Sequence, residues 1–154
     1  VTPDGDPPDF TERRIESAVR YRGRMLQVCE DEVRLPDGAQ ARREYVVHPG
    51  AAVILPVFDD WSVLLEYQFR YPVGRHFYEL PAGKFEVGEP PIETARRELL
   101  EETGYSAVEW ARICTIHPCV GYSDERVELF LARGLSQTAR NLDDGEFLET
   151  LVLP

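Results

Sequence analysis

Cysteine is scarce: Cys29, Cys114 and Cys119 are odd in number and form no CxxC pair. That argues against a disulfide framework, and it points to a reducing, cytoplasmic setting. Long hydrophobic runs are missing too. No stretch approaches the roughly 20 apolar residues that a membrane-crossing helix needs, so no membrane partner is expected. The first twelve residues, Val1 to Glu12, are rich in Pro and Asp and contain no hydrophobic run, which is unlike a secretory leader. They read as a flexible arm, residues 1–12. Positive charge is the third shortage. A formal charge of −11 repels nucleic acid polymers and anionic membranes, and a small anionic substrate would need local cations to approach. Repeats and low-complexity tracts are absent.

What is present is ordinary globular sequence. The 154 residues, 43% hydrophobic and 29% charged, suffice for one domain, 13–154, with a buried core. Strand-like runs rich in Val, Ile, Leu, Phe and Tyr are Arg24–Val33, Arg42–His48, Ala51–Phe58, Ser62–Gln68, Ile113–Ile116, Val127–Ala132 and Phe147–Leu153. Pro36-Asp37-Gly38 and Asp59-Asp60 sit between runs as turns. Pro90 to Thr103 has helical character, and Arg13–Val19 is expected as a short N-terminal helix. Many strands around a central helix imply an α/β fold with a mixed sheet packed by helices.

The central helix carries its own punctuation. Pro90 suits the first turn, where a missing N–H does no harm, and Gly104 suits the left-handed position past the end. At about 100° per residue, Ile92, Ala95 and Leu99 form a narrow stripe facing the core, flanked by Leu100 and Thr103. Glu98, Glu101 and Glu102 occupy an adjoining arc. These three carboxylates repel one another, and the wheel puts no lysine or arginine in that arc. Arg97 is expected to point elsewhere and pair back to Glu93 or Glu89. An acidic helix face usually just meets solvent; the alternative is a hard divalent cation among the oxygens.

The surrounding pattern decides between these. Gly83, five residues, Glu89, seven residues, then Arg97-Glu98-Leu99-Leu100-Glu101-Glu102-Thr103-Gly104-Tyr105 resembles the signature box of the Nudix hydrolase family. Tyr105 stands where the family prefers an aliphatic residue. The resemblance implies a Nudix α/β/α sandwich with a mixed sheet, plus N-terminal antiparallel strands. It also implies a site for Mg²⁺ or Mn²⁺ held by Glu98, Glu101, Glu102 and the carbonyl of Ala82, with Arg97 and Glu89 as a bracing ion pair. The reaction implied is hydrolysis of a nucleoside diphosphate linked to another group, in which Glu101 and Glu102 are catalytic. A general base is worth about 10² to 10⁴ in rate; by resemblance it comes from the late acidic loop Asn141-Leu142-Asp143-Asp144-Gly145-Glu146, and Glu146 is the candidate. His48, His76 and His117 are scattered singly and read as packing or surface residues.

The flanks, over about residues 20 to 152, are similar to the ADP-ribose pyrophosphatase branch. Glu44-Tyr45-Val46-Val47-His48-Pro49-Gly50-Ala51, Glu66-Tyr67-Gln68-Phe69-Arg70-Tyr71-Pro72 and Phe77-Tyr78-Glu79-Leu80-Pro81-Ala82-Gly83-Lys84 carry this likeness. It implies Arg70 and Glu79 in the substrate cleft, Glu125 as a ribose contact, and Tyr21 or another N-terminal aromatic that stacks on adenine across a homodimer. ADP-ribose, split to AMP and ribose 5-phosphate, is the substrate implied; other nucleoside diphosphate sugars and a non-catalytic nucleotide sensor are the alternatives. Two features depart from the branch. Val120 stands where a proline is usual, and the chain ends at Pro154 without the branch's C-terminal helix, which leaves an exposed apolar patch expected where that helix would lie.

Overall fold

Among the described residues, three short sheets and one helix follow from where the β-branched and aromatic residues cluster. The computed structural model describes residues 7–142, 145 and 147–154. The elements, in chain order, are β1 (Arg13–Arg22), β2 (Gln27–Arg34), β3 (Gln40–Val47), β4 (Ala51–Pro56), β5 (Val63–Arg70), β6 (Arg75–Glu79) and β7 (Ala82–Lys84). They continue with α1 (Pro91–Thr103), β8 (Tyr105–Ile116), β9 (Val127–Gln137) and β10 (Leu148–Leu153). The chain divides into two compact units: residues up to His48 with Cys119–Glu125, and Pro49–Pro118 with Arg126–Pro154.

The first unit is the antiparallel sheet β1-β2-β3. Its β2–β3 turn is the expected one: Gly38 adopts φ +90° and donates its N–H to the Leu35 carbonyl at 2.9 Å. The helix expected at Arg13–Val19 is instead the start of β1. Ile15 and Val19 have helix-like spacing, but Val19 pairs with Cys29 and Ser17 with Asp31 along the β2 ladder. Pairing with a neighbouring strand overrides a short local preference. The 119–125 segment joins this unit through a parallel bridge between Val46 and Ser123 and a bond from the His48 N–H to the Asp124 carboxylate at 2.8 Å.

The second unit holds the core. A four-stranded mixed sheet runs β7-β4-β9-β8, with β4 and β9 parallel and the other pairs antiparallel; a three-stranded antiparallel sheet runs β10-β5-β6. Period-2 alternation turns Ala52 and Ile54 of β4, Leu64 of β5, and Phe130 and Ala132 of β9 inward, where they meet Ala95 and Leu99 of α1. The α1 stripe is the one its periodicity implied. Its ends also hold: Pro91 lies in the first turn after Pro90, and Gly104 caps the C-terminus at φ 73°, donating its N–H to the Leu100 carbonyl at 2.9 Å. A side chain at Gly104 would meet the Arg140 backbone nitrogen at 2.9 Å, so glycine is needed there both for the turn and for the close approach.

Two strands, β6 and β7, have no hydrophobic run of their own and form because β5 and β4 offer free edges. Strands β8 and β9 also extend well beyond the runs Ile113–Ile116 and Val127–Ala132, since each supplies the other's hydrogen bonds from Tyr105 to Gln137.

Candidate active site

The site lies within the second unit, where β7 passes the acidic face of α1. A cavity of about 350 Å³ there is lined by Gln68 and Arg70 of β5, Ala82, Gly83 and Lys84 of β7, Phe85 and Glu86 just after it, Arg97, Glu98 and Glu102 of α1, and Leu148 of β10. It is mostly polar, and it sets three cationic side chains beside the helix carboxylates.

Each helix glutamate has its own environment. Glu102 is 6% exposed, and its carboxylate accepts the Ala82 backbone N–H at 3.0 Å. Glu98 lies over β7 so closely that a Cβ on Gly83 would overlap its carboxyl group; glycine there is what admits this carboxylate. Glu101 is more open and accepts from Arg97. At the helix end, the Glu101 carbonyl accepts the Asn141 N–H at 3.1 Å.

Arg97 departs from the helical wheel. It braces Glu89 as expected, with Nε donating at 3.2 Å and Nη2 at 3.1 Å. Its Nη1, however, donates to Glu98 at 2.8 Å and to Glu101 at 3.1 Å. The wheel places Cα–Cβ directions, and a long guanidinium reaches past its own sector. The Glu89 hydrogen bonds, with the charges of Glu98 and Glu101 added, raise the Arg97 pKa well above its ordinary value despite partial burial. Glu89 is lowered in turn, first by Arg97 and then by the Thr94 hydroxyl, which donates to it at 2.7 Å.

The second cationic centre is Arg70. Its Nε donates to both Glu79 oxygens, at 3.0 and 2.9 Å, and its Nη2 donates to one of them at 2.5 Å. The β5–β6 register sets Arg70 opposite Arg75 and Glu79 opposite Glu66, so it is the length of the Arg70 side chain, reaching along the ladder, that brings the two together. The Glu79 hydrogen bond, aided by the fields of Glu102 and Glu66, holds Arg70 above its ordinary pKa against the opposing effect of burial. Glu66 itself is fully buried on β5.

Arg70, Ala82, Glu98 and Glu102 therefore line one cavity, with Glu79 and Glu101 each bonded to a lining arginine. Glu125 belongs to the other unit, where its carboxylate stands 3.6 Å from His48. Glu146 lies outside the described residues; the flanking Asn141 is tied to Glu101, and Leu148 lines the cavity. Gln68, Lys84 and Leu148 were not singled out as site residues by sequence reasoning. Lys84 had a signal in the stretch that leads into the box, whereas Leu148 gave none beyond strand hydrophobicity.

Among the described residues no three His, Cys, Asp or Glu side chains converge as a metal cage, since Arg97 engages Glu98 and Glu101 while Glu102 turns to the Ala82 N–H. The donors are nonetheless hard carboxylates on one helix face, as a divalent cation of this kind prefers, and the Gly83 niche accommodates one of them. The residues fit the group.

Comparison with known proteins identifies the family and the fold. The family profile described as NUDIX domain matches residues 47–153. An ADP-ribose pyrophosphatase of Bacillus subtilis (strain 168) is 41% identical over 142 residues, covering 91% of this chain and 77% of that protein. The methanol dehydrogenase activator of Bacillus methanolicus is 36% identical over 94% of this chain and 79% of its own length. An ADP-ribose pyrophosphatase of Mycobacterium tuberculosis is 40% identical over 82% of this chain and 61% of its own. A crystal structure of an ADP compounds hydrolase shares the fold, with a TM-score of 0.84 at 20% identity over 96% of this chain and 81% of that one. The chain belongs to the NUDIX family. It is a pyrophosphohydrolase of that class, and a divalent metal is the cofactor its members generally need.

Proposed function

We propose that this chain hydrolyses ADP-ribose to AMP and ribose 5-phosphate with Mg²⁺ or Mn²⁺. The observation that carries the proposal is the cavity whose lining brings Arg70 and Lys84 together with Glu98 and Glu102. Cations and carboxylates around one cavity suit a diphosphate bound together with a metal. The substrate comes from the relatives named ADP-ribose pyrophosphatase at 41% and 40% identity.

The chain's own residues divide the work. Arg70, fixed by its fork on Glu79, holds phosphate oxygens in a set orientation, and Lys84 adds a second positive charge. Glu98, Glu101 and Glu102, with the Ala82 carbonyl, would hold the metal. When bound, it neutralises the diphosphate and makes a coordinated water more acidic. Glu146 is assigned as the base that takes the water's proton. Its support is its place in the chain between two residues that touch the site: Asn141, whose N–H donates to the Glu101 carbonyl, and Leu148, which lines the cavity. Glu125 is assigned to the ribose and Tyr21 to adenine stacking in a homodimer, in the cytoplasm; among the described residues no helix is long and apolar enough to cross a membrane.

The test is product analysis with purified protein and Mg²⁺ or Mn²⁺ on ADP-ribose beside GDP- and UDP-sugars. Release of AMP with ADP-ribose preferred is expected. Preference for another sugar nucleotide would overturn the substrate, and tight ADP-ribose binding without AMP release would make the domain a sensor.

A further inference from the structure

We propose that Arg97 is an exchangeable cation of the carboxylate site: its Nη1 holds Glu98 and Glu101 together in the metal-free protein and leaves them when a divalent ion arrives. The inference rests on the metal-dependent reading above and deepens it.

Three observations converge. The same nitrogen, Nη1, donates to both Glu98 and Glu101, at 2.8 and 3.1 Å. The other end of the guanidinium, Nε and Nη2, is anchored on Glu89, which the Thr94 hydroxyl also holds. Arg97 can thus give up one edge without losing the other. Finally, Glu98 and Glu102 are held in place by β7, one by the Gly83 niche and one by the Ala82 N–H.

The physical reason for such a device is repulsion. Three carboxylates within a turn and a half of helix disfavour the folded, metal-free state. A guanidinium between two of them relieves this, but it presents N–H donors to the same oxygen lone pairs that a hard cation requires. The two occupants therefore compete. Arg97 is a positioning residue in this scheme: it keeps the carboxylates near their working places before the metal binds and lowers the apparent metal affinity by its own hold.

Two arms test this. In the unaltered protein labelled with ¹⁵N-arginine, the Arg97 Nη1 signal should shift and exchange faster with saturating Mg²⁺, while Nε, on Glu89, stays put. In parallel, calorimetry with Mn²⁺ should show R97Q binding the ion about tenfold more tightly than the parent, as expected for removal of a charge-assisted competitor. E89Q, which loosens the brace and leaves Nη1 on the carboxylates, should show no tightening. A purely structural Arg97 predicts equal or weaker Mn²⁺ binding in both variants and no selective movement of Nη1; either result overturns the exchange, as does Mg²⁺ binding that leaves every Arg97 signal in place. Should R97Q fail to fold, the labelled parent still decides. Metal uptake with the Nη1 response but without hydrolysis of any nucleoside diphosphate would sink the proposed activity and leave the exchange standing.

Discussion

Gly83→Ala separates the fold from the site. A Cβ at residue 83 would come well under 3.0 Å from the Glu98 carboxyl group, a spacing that real side chains do not tolerate. Gly83 is not among the positive-φ glycines, so alanine meets no backbone strain and gains about 0.4–1 kcal/mol from a less flexible unfolded chain. Against this stands the Glu98–Arg97 bond at 2.8 Å, with side chains 14% and 28% exposed. Its loss costs about 1–2 kcal/mol after allowance for solvent. The two effects partly cancel, and the net loss in unfolding free energy should lie between about 0 and 1.6 kcal/mol. The crowding falls on the end of a flexible side chain, so the strand survives and Glu98 moves. Activity should drop about 10- to 100-fold, the usual effect of disturbing the support of a metal ligand. Urea unfolding and ADP-ribose turnover measure the two sides. Gly38→Ala is the control: φ is +90° with nothing near the added Cβ, so it should lose about 1 kcal/mol of stability and keep its turnover. A Gly83→Ala protein as active as its parent would refute the argument.

Other expectations follow from the same contacts. Glu101→Gln and Glu102→Gln should each remove most turnover with the fold intact, because the amide oxygen at 102 can still accept the Ala82 N–H; unchanged rates in both would defeat their assignment. Glu146→Gln should slow hydrolysis with little change in Mn²⁺ affinity by calorimetry. Arg70→Lys replaces a planar fork with a point charge and should raise KM for ADP-ribose more than it lowers kcat. Folded Glu89 and Glu128 sit below their ordinary value of 4.5, held there chiefly by Arg97 and Arg112 respectively. Because the folded pKa is the lower one, their stabilisation is complete above about 4.5 and is lost as pH falls through the depressed values. The urea midpoint should therefore fall on acidification below 4.5, and more shallowly in E89Q.

The sequence by itself determined the helix and its chemistry. Proline and glycine bound α1, a 3.6-residue period turned Ile92, Ala95 and Leu99 inward, and the interval from Gly83 to Glu102 announced the carboxylates. Such features are local, set by backbone sterics and the pitch of one element. Tertiary structure decided what local rules cannot reach. Arg13–Val19 became part of a strand because β2 supplied its hydrogen bonds. Glu102 found its donor at Ala82, twenty residues earlier in the chain. Arg70 met Glu79 although β5 and β6 set them against Arg75 and Glu66, because the antiparallel pairing brought the carboxylate within reach of the long guanidinium. Arg97, which the wheel sent elsewhere, came to lie among the very carboxylates it seemed to avoid, because a long side chain settles wherever the strongest charge lies within reach, and only the assembled chain shows where that is.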